Sequence, residues 1–445
     1  MNFSLSEAAN KRKELMSYAA QELMRPISRQ FDEEEHTEPW DYFNTMWEAS
    51  KGSRESTSIT GDNPTQEKKP KSAAKASEGT LIAAVQIEEL AWGDAGLYLA
   101  IPNPGLGGAA VSAAGTAEQK KRFLGDFHEG KPRWGAMAIT EPHFGSDSKQ
   151  VATTARRDGD EWVLNGTKIF CTSGYRALEL SEGFVIVWAT LDKSRGRPAI
   201  KSFVVPAGTP GVTVSKLEDK MGIRASDTAQ IVFEDARIPA DNILGTEEIV
   251  EKGRAGFKGV MATFDATRPI VAASGIGVAR AALDFVKDTL AENGIEIRYE
   301  ASRNEMTVLE SEVIDMETQL QAARLLTWRA CNMMDRGERN SREASMCKAK
   351  AGLVATKLTQ KCVELLGPLG YSRKLLVEKW MRDAKIADIY EGTQQINQMI
   401  IARSILGYSS TELNESSAQP RFMRRNRRRT ARRLRRILQT LITTA

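Results

Sequence analysis

Residues Trp134–Gly174 read WGAMAITEPHFGSDSKQVATTARRDGDEWVLNGTKIFCTSG, and this stretch decides how the middle of the chain folds. The chain here changes to short runs of strand length, VATTARR, EWVL and TKIF. Two turn dipeptides, Asp158-Gly159 and Asn165-Gly166, separate the runs and predict hairpins. Upstream, Thr140–Asp147 (TEPHFGSD) reads as a loop leaving a strand, where hydroxyls, a glycine and backbone donors can approach anionic groups closely. Phe170 and Thr172 stand two apart and therefore share one face of the strand they would form.

Outward from this stretch, further strand-length runs follow in GFVIVWATL, IKSFVVPAG, GVTVSKL and AQIVFEDARI, an antiparallel sheet or small barrel that ends near Gly245. On both sides the period changes to that of a helix. Before the sheet come KELMSYAAQELMRPI, ended near Pro26, then TLIAAVQIEELAWGDAGLYLAI and AGTAEQKKRFLGDFHEG. After Arg254, IVAASGIGVARAALDFVKDTL, VLESEVIDMETQLQAARLLTWRACNMM, SREASMCKAKAGLVATKLTQKCVELLG and QQINQMIIARSIL are each long enough for a bundle helix. The expected fold is α+β: an N-terminal helical domain (1–132), a middle antiparallel β domain (133–245) and a C-terminal four-helix bundle (246–408). A Ser-, Lys- and Pro-rich insertion at about 50–79 and a basic tail at 409–445 bury too little apolar surface to order themselves and are expected to be disordered.

Composition narrows the function classes. With 41% hydrophobic and 27% charged residues, the chain of 445 residues is neither fibrous nor disordered as a whole and is long enough to bury a large cofactor. The net charge of +4 comes from the ten arginines between Arg421 and Arg436; without them 52 basic residues face 58 acidic ones, so the body gives no general case for nucleic-acid binding. The N-terminus lacks a signal-like apolar block, and cytoplasmic localisation is expected. Four scattered cysteines and three histidines suit neither a zinc site nor a serine triad, and no metal site is assigned.

Trp134–Gly174 resembles the first signature of the acyl-CoA dehydrogenase family, and Arg382–Arg403 (RDAKIADIYEGTQQINQMIIAR) is similar to the second. With IEELAWGDAG upstream and Phe264–Pro269 (FDATRP) between them, the resemblance runs from Thr80 to Gly407. It implies FAD as cofactor and an acyl-CoA substrate. Met137, Ile139 and Thr140 would meet the flavin ring, Gly145 and Ser146 its pyrophosphate and the ligand, Phe170 and Thr172 the isoalloxazine, and Thr393 and Gln395 the adenosine-diphosphate side. The family's usual aromatic at position 170 is tryptophan; phenylalanine keeps the packing face and loses the indole donor.

Glu391 lies beside Gly392, which permits an unusual turn able to aim a carboxylate inward. A thioester α-proton is weakly acidic, so its base needs a pKa raised by desolvation. The resemblance implies that Glu391 takes this proton while its backbone N–H and a flavin ribityl hydroxyl polarise the carbonyl, giving a trans-2-enoyl-CoA. Asp265, Arg268, Tyr390 and Gly392 fall on the substrate side, Arg268 orienting the Glu391 loop and Asp265 holding Arg268. The position used for the base in another branch of the family is Thr267, which cannot serve. An electron-transferring flavoprotein would accept the electrons, and a homotetramer or homodimer is expected. An acyl-CoA oxidase, or a nucleic-acid-binding flavoprotein of this fold using the tail, is the alternative; nucleic-acid or membrane contact through Arg421–Arg436 is not the favoured reading. The sequence departs from the family at Ala291–Met306 (AENGIEIRYEASRNEM), where an Arg-x-x-Phe-Gly string is usual, and at Glu364 and Pro368, where glutamine and glycine are usual.

Overall fold

Helix α1 (Glu7–Ala19) begins on Ser6, whose Oγ accepts from the Ala9 N–H at 3.2 Å. The proline expected to end this helical run does not. A π turn over Ala20–Met24 and a 3-10 turn over Arg25–Ile27 carry the chain through Pro26 into α2 (Ser28–Glu33). Pro26 sits in the first turn of a new segment, where a missing N–H breaks no helical bond. Five more helices complete the N-terminal part: α3 (Trp40–Lys51), α4 (Gly79–Gly93), α5 (Ala95–Ala100), α6 (Gly105–Ala114) and α7 (Ala117–Leu124). The computed structural model describes residues 4–51, 78–125, 127–249 and 255–408, those from 255 to 262 by backbone alone. Nearly all of the polar insertion and the whole basic tail, with Arg421–Arg436, lie outside the described residues.

Seven strands follow: β1 (Gly135–Ala138), β2 (Thr154–Asp158), β3 (Glu161–Thr172), β4 (Phe184–Thr190), β5 (Ile200–Pro206), β6 (Val212–Leu217) and β7 (Thr228–Pro239). They form one sheet in the order β1-β4-β2-β3-β7-β6, with β5 also on β4. The sheet is not purely antiparallel. β4 runs parallel to β1, from Gly135 opposite Phe184 to Ala138 opposite Val187, because the β2–β3 hairpin intervenes and brings the chain back in its original direction. Asp158-Gly159 makes the expected hairpin turn, but Asn165-Gly166 lies inside β3 as a bulge. There the Asn165 amide pairs with Asp235 across the strands, and Gly166 leaves no room for a side chain, since a Cβ would stand 2.5 Å from Thr153 Oγ1.

β4 is apolar from Phe184 to Ala189 and buried along its whole length because both its faces are covered. Val185 and Val187 join Met24, Phe43 and Leu97 on one side, while Phe184 and Ile186 join Trp47, Val111 and Leu124 on the other. The C-terminal helices are α8 (Ala255–Glu292), α9 (Val308–Asp335), α10 (Ser341–Leu366), the short α11 (Pro368–Tyr371), α12 (Val377–Ala384) and α13 (Gln394–Leu406). Ile276, Leu283, Leu320, Leu358 and Trp380 share one core among α8, α9, α10 and α12. No uninterrupted apolar run reaches bilayer length, yet Thr263–Glu292 has the length and mean hydropathy (1.4) of a spanning helix; 78% of its most apolar window is buried inside the protein, as a bundle's core helix requires. Pro269 within α8 cannot donate to the Asp265 carbonyl, and Asn340 Nδ2 supplies that bond at 3.4 Å.

Candidate active site

The chain leaves α12 through a 3-10 turn (Lys385–Asp388) and reverses into α13 over two left-handed residues, Glu391 (φ 55°) and Gly392 (φ 94°). For a non-glycine residue this conformation costs on the order of 1 kcal/mol and persists only where the surroundings over-determine it. They do so here through the carbonyls. Arg268 Nε donates to the Glu391 carbonyl at 3.4 Å, and the Gly392 carbonyl accepts from Lys348 Nζ at 2.6 Å and Asn397 Nδ2 at 2.8 Å. All three donors are buried. Arg268 is held in turn by Asp265 Oδ1 at 3.3 Å and Ser345 Oγ at 3.5 Å, while Ser341 donates to the other oxygen of Asp265. The loop is thus anchored to α8, α10 and α13 at once, and every residue named lies in the unit Met1–Gln398.

Glu391 is half-buried as a residue, and desolvation of its carboxyl group lifts the pKa above the ordinary carboxylate value. The Thr267 hydroxyl, donating to Oε2 at 2.8 Å, and the charges of Arg268 and Lys348 draw it partly back. A base of raised pKa in contact with a donor that keeps it ionisable suits abstraction of a weakly acidic proton. Burial also lowers the Lys348 ammonium to about 8 and lifts the Tyr390 phenol to about 12. Tyr390 and Ser274, whose hydroxyls are 3.1 Å apart, line a narrow pocket with Tyr98, Leu99, Val278 and Ile386.

On the sheet side, Met137 lies in β1 and Ile139 and Thr140 follow it, all half-buried. The Thr140 carbonyl accepts from the Ile169 N–H at 2.9 Å, which ties this segment to the end of β3. A second bulge between Lys168 and Cys171 breaks the alternation expected there. It places Phe170 at φ 58° with 60% of its surface exposed, whereas Thr172 is half-buried and Cys171 between them is buried. A strained, bared aromatic beside a loop of backbone donors fits a planar ring such as a flavin. Gly145 and Ser146 stand exposed on that loop. The two sides meet at Phe264, which packs with Met137 and Ile139 on Val151, Trp188 and Ile200 and carries the Arg268 guanidinium 5.7 Å from its ring centre. Thr393 accepts from the Ile396 N–H at the start of α13, where Gln395 is exposed.

The family departures have local explanations. Arg298 grips Glu310 with two bonds of 2.6 and 2.8 Å and also donates to the Glu305 carbonyl, and Arg303 pairs with Asp315, so both arginines have partners within this chain. Glu364 is exposed and pairs at 2.9 Å with Lys361, which also reaches Glu312 at 3.1 Å, and Pro368 opens α11, where a proline costs no bond. Among the described residues, Glu35, His36 and Asp219 bring metal-ligand atoms within 4.8 Å of one another, but Glu35 already takes Lys220 at 3.0 Å and Arg224 at 2.7 Å. Two cations there disfavour a third.

Sequence reading passes over Thr267 as a donor, Lys348, Asn397 and the pocket residues Tyr98 and Ser274. Lys348 does carry a signal: Ala344, Ser345, Ala351 and Gly352 surround it at helical spacing, and a lysine centred on a buried stripe of small residues must have a polar purpose.

Comparison with known proteins agrees with this geometry. Residues 136–236 match the acyl-CoA dehydrogenase middle domain and 254–406 the acyl-CoA dehydrogenase C-terminal domain. The short-chain specific acyl-CoA dehydrogenase of Bos taurus mitochondria is 38% identical over 339 residues, covering 76% of this chain and 78% of that protein. Among solved structures, butyryl-CoA dehydrogenase from Megasphaera elsdenii is 30% identical with a TM-score of 0.77, covering 91% of this chain and all (100%) of that one. A chain described under the electron transferring flavoprotein of Acidaminococcus fermentans is 32% identical with a TM-score of 0.77 and the same coverage, 91% and 100%. This chain belongs to the acyl-CoA dehydrogenase family and is an FAD-dependent oxidoreductase.

Proposed function

We propose that this enzyme oxidises a short-chain acyl-CoA thioester to its trans-2-enoyl-CoA, with Glu391 as the base. The observation that carries the proposal is a desolvated carboxylate of raised pKa, aimed by a left-handed turn whose carbonyls are held by three buried side chains. Thr267 occupies Oε2, which leaves Oε1 to take the α-proton. FAD bound against Phe170 and the segment Met137–Thr140 would supply the acceptor for the β-hydride. Arg268 and Lys348 keep the loop in place as charge shifts on the ligand, so the carboxylate need not reorganise during proton transfer.

A short acyl chain is favoured by the narrow pocket under Tyr390, where Tyr98 adds a second bulky ring, and by the substrate named for the bovine relative. We assign an electron-transferring flavoprotein as acceptor and a homotetramer or homodimer as the working assembly; Leu369, Tyr371 and Ile389, at 54%, 82% and 51% exposure, offer apolar surface for it. The test is anaerobic titration of the purified flavoprotein with butyryl-, octanoyl- and palmitoyl-CoA while its visible absorbance is followed. Butyryl-CoA should bleach the flavin most readily. Equal bleaching by palmitoyl-CoA overturns the chain-length assignment, bleaching by none of the three overturns the reaction, and hydrogen peroxide release in air replaces the dehydrogenase reading by an oxidase.

A further inference from the structure

Outside the Glu391 loop, Glu141 and Lys168 form a buried charged pair beside the sheet, 4% and 0% exposed, with Nζ 2.7 Å from Oε1. The Glu141 carboxylate also accepts from the Thr153 N–H at 2.9 Å, the Thr153 hydroxyl at 2.6 Å and the Ala152 N–H at 2.7 Å. Lys168 Nζ reaches on to the Ile139 carbonyl at 3.2 Å. One carboxylate and one ammonium thereby join three separate segments: residues 139–141, residues 152–153 and β3. Burial pushes the carboxyl group up, yet Lys168 and Thr153 hold it below its ordinary value overall, as expected of a fully bonded carboxylate.

The position of the pair gives it a purpose beyond cohesion. Ile139 and Thr140 adjoin Glu141 on one segment; Phe170 and Thr172 follow Lys168 on the other, immediately past the bulge that turns Phe170 outward. The backbone bond from Ile169 N–H to the Thr140 carbonyl runs between the two segments beside the pair. An apolar pair of similar volume would fill the same space, but it would not set the register of two segments by directional bonds.

We propose that the buried Glu141–Lys168 pair is a positioning element that holds the two halves of the flavin-facing surface in register, so that FAD affinity depends on it even in folded protein. The proposal rests on the reading that Met137–Thr140 and Phe170–Thr172 face the flavin, and Phe170→Ala tests that reading separately. Full-length wild type, Lys168→Met, Glu141→Gln and Phe170→Ala are stripped of FAD and retitrated by quenching of flavin fluorescence, at a temperature where circular dichroism shows each variant folded. The pair variants should bind FAD at least about tenfold more weakly and with a displaced visible absorption band, and Phe170→Ala should weaken it too. Wild-type affinity in folded pair variants, with Phe170→Ala weakened, overturns the proposal and leaves the pair a matter of folding alone. Wild-type affinity in Phe170→Ala places the flavin elsewhere and removes the ground on which the proposal stands. Should Lys168→Met fail to fold, the double variant Glu141→Leu/Lys168→Met, which strands no charge, is judged by the same criteria.

Discussion

Lys168 in the sheet and Lys348 in the bundle are matched in almost every respect but one. Both are buried, at 0% and 1% exposure, both donate to a loop carbonyl, and burial brings both ammonium groups down to about 8. Lys168 has a carboxylate in direct contact, and Glu141 ends below its ordinary pKa. Among the described residues no carboxylate lies within ion-pair distance of Lys348; it holds the Gly392 carbonyl instead, and Glu391 next door stays above its ordinary pKa. The difference teaches how one fold can hold one carboxylate fully paired and leave another basic. Full pairing fixes geometry and spends the carboxylate's basicity, whereas anchoring the backbone fixes geometry and leaves that basicity for the substrate.

The comparison can be broken most decisively at Glu391. Glu391→Gln should retain FAD and lower the anaerobic rate of flavin reduction by about 10²–10⁴-fold; a rate within tenfold of wild type would mean that the unpaired carboxylate is not the base. Next in size is a contrast in stability. Lys168→Met strands Glu141 without its partner and should cost about 3–5 kcal/mol in urea unfolding, while Lys348→Met, which strands no contacting carboxylate, should cost less. Equal losses would show that pairing is not what separates the two lysines. Thr267→Val keeps the side-chain shape and removes the donor to Oε2, so kcat/KM should fall about tenfold with little change in melting temperature. The smallest effect is one of pH. On the proposed mechanism Glu391 acts when ionised, so kcat/KM is lost as pH falls through its pKa; removing a cation that draws that pKa down must move the acidic limb to higher pH. Lys348→Met should show this shift in a kcat/KM profile, and Lys168→Met should not.

Much of this is legible in the amino-acid sequence. The strands on either side of Asp158-Gly159, the long C-terminal helices and the turn at Glu391-Gly392 follow from local period and glycine placement, and a local code reports them faithfully. What escapes it depends on distant neighbours. Asn165-Gly166 carries the same signal as a hairpin turn, and only β7 lying alongside, with Asp235 facing Asn165, makes it a bulge. The parallel pairing of β1 and β4 depends on two strands separated by a hairpin. The anchors of the Glu391 loop come from α8, α10 and α13; the stripe of small residues around Lys348 marks it locally, but Thr267 and Asn397, some 130 positions apart, bear no local mark of convergence.

The left-handed backbone at residue 391 makes stability and turnover compete for one position. Glycine would adopt that turn without strain and bury no carboxyl group, so Glu391→Gly should melt at a higher temperature than the native enzyme while losing its chemistry. On the proposed mechanism, a sturdier backbone at this position comes only at the expense of proton transfer.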